Sequence, residues 1–154
     1  MKTEHLLIMR FTALGEVAML VPVVSSLAQQ YPELRITVLS NPFARSLFDG
    51  IAHNVGFMAA DLNGEYHGVK GLNALYRRLV AKNFTAIADM QSILRSSYLR
   101  MRFNISSYRV EHLDNHRQDR RKLVATKDKC LRQLPSLFDD YIDVLARLGY
   151  NVRL

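Results

Sequence analysis

The chain has 154 residues, 49% of them hydrophobic, and a formal net charge of +7. That length supports one domain with a real core, and no apolar run approaches the roughly 18 residues of a membrane span. The excess of positive charge implies either an anionic partner (a phosphorylated substrate, an acidic membrane surface or nucleic acid) or a solvated basic face.

Met1–His5 is too short and too mixed in charge to lead a signal peptide. With a lone cysteine, Cys130, ruling out an internal disulfide, a reducing, cytoplasmic setting is the default. Leu6–Phe11 reads as a buried strand. Val17, Leu20, Val21, Val24, Leu27 and Ala28 then keep to one helical face, with a kink or restart expected at Pro22. Ile36–Leu39 reads as a second strand and Gly56–Ala60 as a third. Leu72, Leu75, Leu79 and Val80 form a helical stripe that leaves Arg77, Arg78 and Lys82 in water. Ala86–Asp89 is a fourth strand, followed by a helix over Ser92–Phe103 expected to bury Ile93, Leu94, Tyr98 and Met101. Tyr108–Val110 is a weak fifth strand within Asn104–Lys129, the least regular part, where loops and a short helix near Arg120 are expected. The last helix, Pro135–Leu148, has Asp139 and Asp140 in its early turns and Gly149 as its stop, with Leu137, Tyr141, Val144, Leu145 and Leu148 inward.

Short strands alternating with amphipathic helices predict an α/β, Rossmann-like open, mainly parallel sheet with helices on both faces. In that architecture ligands gather beyond the carboxyl ends of the strands. There the sequence places Thr12, Ala13, Leu14, Gly15 and Glu16, then Ser40, Asn41 and Pro42, then Asp61 and Asn63, and finally Asp89 and Gln91 with Arg95 a turn on.

TALGEV contains neither G-x-G-x-x-G nor G-x-x-x-x-G-K-[ST], so it does not cradle a pyrophosphate in the usual manner. Gly15 would permit a tight turn or a close ligand. Glu16, in the first turn of a helix, has two readings: a complement to the helix dipole, or a general base facing a substrate at the edge of the sheet.

The stretch LLIMRFTALGEVAMLVPVVSSLAQQYPELRITVLSNPFARSLFDG resembles the opening of glycosyltransferase family 9, the bacterial lipopolysaccharide heptosyltransferases. FTAIADMQSILRSSYL resembles that family's strand and following Asp-x-Gln-x-x-x-Arg-Ser helix, and FDDYIDVLARLGY the helix that closes its N-terminal domain. The resemblance runs from Leu6 to about Tyr150. It implies the N-terminal, acceptor-binding lobe of a GT-B fold, spanning 1–154, without the C-terminal lobe that takes the ADP-heptose donor. It implies inverting, metal-independent transfer to the inner core on lipid A, with no cofactor beyond the donor. Glu16 would be the catalytic base. Thr12, Ala13, Gly15, Asp89, Gln91, Arg95 and Ser96 would line the acceptor site, joined by Arg117, Arg120 and Arg121. The family usually has Asp after this glycine, so Glu16 reaches one methylene farther. A family member runs about twice as far, and a lone acceptor lobe is not expected to transfer sugar. The implied partners are the anionic glycolipid, the inner face of the inner membrane and the missing donor lobe.

The basic stretch Arg95–Arg132, with eleven Lys/Arg against four acids, then has lipid A phosphates as a candidate partner, which guanidinium groups bind through two oxygens. Arg77, Arg78 and Lys82 would add attraction to an anionic leaflet. Each is equally a solvated helix face. His112 and His116 lack a third metal ligand, and Cys130 lacks a His or Asn for a dyad, so neither predicts a centre. Two rival classes stay open. Charge and tyrosines such as Tyr98 and Tyr108 would suit a nucleic-acid module, but no RRM-type motif is present and the aromatics fall at buried helical positions. A non-catalytic scaffold would expose an apolar face for a partner or a membrane.

Overall fold

The computed structural model describes residues 4–105, 108–113 and 133–154. Five strands, β1 (His5–Met9), β2 (Arg35–Ser40), β3 (Val55–Ala59), β4 (Ala86–Asp89) and β5 (Arg109–His112), form one parallel sheet in the order β3-β2-β1-β4-β5. Register is set around β1, whose Leu6 lies between Ile36 and Ala86 and whose Met9 lies between Leu39 and Asp89. Both neighbours of β1 are parallel, so side chains must be apolar on both faces, and all five residues of β1 are buried.

Among the described residues the helices are α1 (Leu14–Ala18), α2 (Leu20–Gln30), α3 (Arg45–Phe48), α4 (Gly68–Val80), α5 (Leu94–Ile105) and α6 (Gln133–Arg147). Alternation along each strand feeds two cores. Leu6, Ile8, Ile36, Val38 and Ala88 pack with Val23, Val24 and Leu27 of α2 and with Tyr141, Val144 and Leu145 of α6. Leu7, Met9, Leu39 and Ile87 pack on the other face with Leu72, Leu75 and Leu79 of α4 and with Leu99 and Phe103 of α5. The expected Rossmann-like α/β sheet, helices on both faces, is the observed fold.

Three local expectations need correction. The break in the first helical segment lies at Met19, between α1 and α2, which places Pro22 third in α2, where its missing N–H leaves no intrahelical bond unmade. α5 begins at Leu94, because Ser92 has φ +55 and leaves the right-handed helical region. Its buried stripe is Ser96, Leu99 and Phe103, whereas Leu94 and Met101 face outward and Ile93 and Tyr98 are half-buried. The irregularity expected from Asn104 is also not found where the chain is described: α5 runs through Ile105 and β5 occupies Arg109–His112. The helix near Arg120, together with Arg117, Arg121, His116 and Cys130, lies outside the described residues.

α6 starts two residues before Pro135 and ends as expected at Gly149. With φ +100 there, the Gly149 N–H donates to Ala146 O (2.9 Å) and the Tyr150 N–H to Leu145 O (2.8 Å). This paired closure satisfies two of the helix's last carbonyls.

At the other end of the sheet, buried His5 is held between Lys82 O (3.1 Å, Nδ1) and Thr37 Oγ1 (2.7 Å, Nε2). A neutral ring protonated at Nδ1 satisfies both, donating to the carbonyl and accepting from the hydroxyl. Burial pushes the His5 pKa below its ordinary 6.5, aided by the charges of Arg35 and Lys82 and opposed by the Lys82 carbonyl. Because the folded pKa is the lower one, the unfolded chain binds more protons near neutrality, and stability falls as pH drops through about 6.5. Urea titrations across pH 5–7 are expected to show this slope, flattened in His5→Gln.

Candidate active site at the β1–β4 crevice

The chain leaves β1 toward β2 on one side and reaches β4 on the other. The carboxyl ends of β1 and β4 therefore border the topological switch point, where open α/β sheets bind ligands. Arg10–Ala13 follows β1 there and Met90–Ile93 follows β4, so the two segments face each other.

Gln91 ties them together. Its Oε1 accepts from the Phe11 N–H (2.7 Å) and the Thr12 N–H (3.3 Å), and its Nε2 donates to Thr12 Oγ1 (2.6 Å). An amide suits this position because it offers an acceptor and a donor from one planar group. Arg10 makes a second tie: Nε donates to Thr12 O (2.9 Å) and Nη1 to Met90 O (2.6 Å). Its third arm, Nη2, pairs with Glu16 Oε2.

Glu16 is the third residue of α1, and its Oε2 also faces the Ala13 N–H (3.4 Å). This is one half of a capping box, since Ala13 has no side-chain acceptor to return the bond. The Arg10 side chain is 7% exposed and that of Glu16 49%. Among the described residues the carboxylate makes its ion pair and its hydrogen bond through Oε2, and the side chain is half-exposed. The backbone of Glu16 is held too, by Tyr141 of α6, whose hydroxyl donates to Glu16 O (2.8 Å). Burial raises the Tyr141 pKa well above the ordinary phenol value, so it remains a donor. The Arg10 guanidinium lies 6.0 Å from the centroid of the same ring.

The remaining predicted residues divide by exposure. Thr12, Ala13 and Gly15 lie open at the rim. Gly15 is helical without a positive φ and with open space where a Cβ would stand, so it supplies no tight turn and leaves room for a ligand. Asp89 and Ser96 are fully buried and spend their polar atoms inward. Ser96 Oγ accepts from the Ile93 N–H (3.0 Å) and donates to Ile93 O (3.1 Å). Asp89 Oδ1 accepts from the N–H groups of Gln91 (3.1 Å) and Ser92 (2.9 Å), shaping the turn that presents Gln91. Its Oδ2 pairs with Arg100 (3.2 Å). Arg95, on another side of α5, donates to Leu62 O (3.1 Å) and Asn63 Oδ1 (2.8 Å) in the segment after β3. Arg117, Arg120 and Arg121 lie outside the described residues.

Sequence reading missed Arg10, Tyr141 and Arg100. Arg10 did carry a signal, a lone cation between Met9 and Phe11 at the end of an apolar strand. The described residues contain no group of three or more His, Cys, Asp or Glu that could hold a metal ion, and no helix among them is long and apolar enough to cross a membrane.

No family model matches the sequence, and no curated protein matches it. Solved structures do. A glycosyltransferase family 9 protein from Veillonella parvula DSM 2008 is similar over 100% of this chain and 46% of its own, at TM-score 0.67 and 18% identity. The E. coli heptosyltransferase WaaC with ADP-2-deoxy-2-fluoro heptose is similar over 97% of this chain and 50% of its own, at TM-score 0.64 and 16% identity. The same enzyme with ADP gives 97%, 48%, 0.62 and 17%. At these identities the likeness establishes a shared fold, and the chain spans about half the length of the proteins it matches.

Proposed function

We propose that this chain is the acceptor-side lobe of a GT-B glycosyltransferase of the heptosyltransferase kind, with Glu16 as its general base. The observation that carries the reading is the Glu16 carboxylate itself. It stands half-exposed at the switch point, tethered through Oε2 to a buried arginine. A residue serving only the helix dipole needs neither the tether nor the crevice. The similarity to structures of family 9 and heptosyltransferase proteins supports the choice of chemistry.

In this mechanism an acceptor hydroxyl sits against Oε1. As its oxygen attacks the anomeric carbon of an ADP-heptose held by a second lobe, its proton passes to Glu16. The bond from that carbon to the diphosphate breaks with its electron pair, releasing ADP, and attack from the opposite face inverts the centre. Thr12 and Gly15 border the hydroxyl's position. Gln91 and Arg10 keep the loop from yielding, which matters because an ångström of misplacement can cost about 100-fold. The extra methylene of Glu16 relative to Asp is taken up by the Arg10 tether, which fixes where the longer side chain ends. The acceptor in this reading is the inner-core region of a lipid A glycolipid at the inner leaflet, and the chemistry needs no metal.

The test is ADP release by the protein that joins this chain to a nucleotide-sugar lobe, supplied with ADP-heptose and heptose-free lipopolysaccharide. Release that requires both substrates supports the reading. Failure to transfer with both present overturns it.

A further inference from the structure

We infer that the outer face of α4 and α5 docks on an anionic lipid bilayer, with Leu94 and Met101 entering the interface and the cations of α4 holding the headgroups. The two layers of helices are charged oppositely. α4 and α5 together carry six basic residues (Lys70, Arg77, Arg78, Arg95, Arg100 and Arg102) and no acid, and Lys82 follows directly. On the other face α1, α2, α3 and α6 carry four acids (Glu16, Asp139, Asp140 and Asp143) and two basic residues, Arg45 and Arg147. A molecule so polarised turns its α4/α5 side toward any negatively charged plane.

Not all six are at liberty. Arg100 is paired with buried Asp89, and Arg95 is tied to the segment after β3. Arg102 donates to Asn73 Oδ1 (2.6 Å) and lies over the Tyr76 ring. Arg78 reaches Glu65 and the Tyr66 hydroxyl. Lys70, Arg77 and Lys82 are exposed and make no ion pair with the described residues.

Charge alone would suit a nucleic acid equally, so the apolar side chains decide. Leu94 is 88% exposed and Met101 53%. They are seven residues apart, two turns or about 10 Å along one side of α5, and that side is opposite the buried Ser96, Leu99 and Phe103. Val69 is likewise exposed at the start of α4. Asn73 of α4 accepts from both Tyr98 (2.8 Å) and Arg102 of α5, which holds the helices side by side as one surface. Large exposed aliphatics beside unpaired cations are the combination that an anionic headgroup layer over acyl chains satisfies and a nucleic-acid backbone does not. Leu94 also follows Gln91 by only three residues, so the anchor stands at the mouth of the crevice. A docked lobe would therefore hold that mouth beside the leaflet, where a lipid-borne acceptor lies.

Flotation of the chain with phosphatidylcholine vesicles, with and without about a third phosphatidylglycerol, tests this without any turnover readout, so it can fail independently of the transferase reading. Binding is expected only with the anionic vesicles. Lys70→Gln/Arg77→Gln/Lys82→Gln is expected to weaken it about 100-fold, and Leu94→Glu/Met101→Glu at least as much. All five positions are on the surface, and circular dichroism checks that the variants fold. Equal binding to both vesicle types, no binding to either, or wild-type binding by the Leu94→Glu/Met101→Glu variant would overturn the inference. Salt-sensitive binding to random oligonucleotides that survives the same variant, in place of vesicle binding, would also overturn it and assign the charge to nucleic acid.

Discussion

Replacing Glu16 by Gln is expected to lower kcat by about 10²–10⁴-fold, the range for losing a general base, with the acceptor KM nearly unchanged. The amide keeps the size of the side chain and can still accept from Arg10 through its oxygen. It then turns an NH₂ toward the crevice, which cannot take a proton from the attacking hydroxyl. A change confined to kcat marks an interaction made in the transition state rather than in binding. Loss of the negative charge removes the helix-dipole complement, worth about 0.3–1 kcal/mol, and leaves buried Arg10 with a neutral acceptor in place of its carboxylate, so a melting curve is recorded beside the kinetics to separate catalysis from unfolding. Arg10→Met sharpens the argument, because it frees the carboxylate without removing it. If Arg10 acts through Glu16, the double variant should be little slower than Glu16→Gln alone. Steady-state kinetics of the three variants checks both statements, and Glu16→Gln with near-native kcat would remove Glu16 from the mechanism.

The second large effect is on folding. Asp89→Ala is expected to destabilise the chain by about 3–5 kcal/mol, as when one member of a buried ion pair is lost. The carboxylate is fully buried and engages the N–H groups of Gln91 and Ser92 and the guanidinium of Arg100. Removing it strands two donors and a largely buried cation together. For a domain of this size the melting temperature should fall by roughly 10 °C. Asp89→Asn keeps an acceptor for the turn and should lose distinctly less. Equal losses in a urea titration of the two variants would mean that the Arg100 pairing, not the turn, carries the stability.

Sequence patterning made the sheet legible because both of its signals are local. Buried parallel strands are short apolar runs, and their helices repeat apolar residues every three or four positions. The phase of α5 was not legible for the same reason. LRSSYLRMRFNI offers Leu94, Tyr98 and Met101 at helical spacing, but the inward stripe is Ser96, Leu99 and Phe103. Nothing in the sequence says that Ser96 closes its hydrogen bonds on Ile93 and can therefore be buried. Glu16 could be placed because a strand-to-helix junction has a fixed location in this architecture. Its partners could not: Arg10 reads as an interruption of a strand, and Tyr141 reads as one more member of an apolar stripe, since its hydroxyl bond to Glu16 spans 125 residues. Nor does proximity along the chain give Asp89 its partner: α5 turns the nearer Arg95 toward Asn63 and Arg100 toward Asp89.

The strand order has a consequence in time. β1 is the middle of the sheet and precedes both of its neighbours along the chain, and β2 can cover one of its edges once residue 40 has emerged. The other edge waits for β4, whose first residue is Ala86. At ribosomal rates of about 5–20 residues per second the interval is roughly 2–10 s, during which an apolar strand has one row of backbone donors and acceptors uncovered. Only then can Gln91 close on Phe11 and Thr12, and Tyr141 arrives later still. The crevice thus closes only after β4 has emerged, and a chaperone that shields the nascent protein would find the unfilled place of β4.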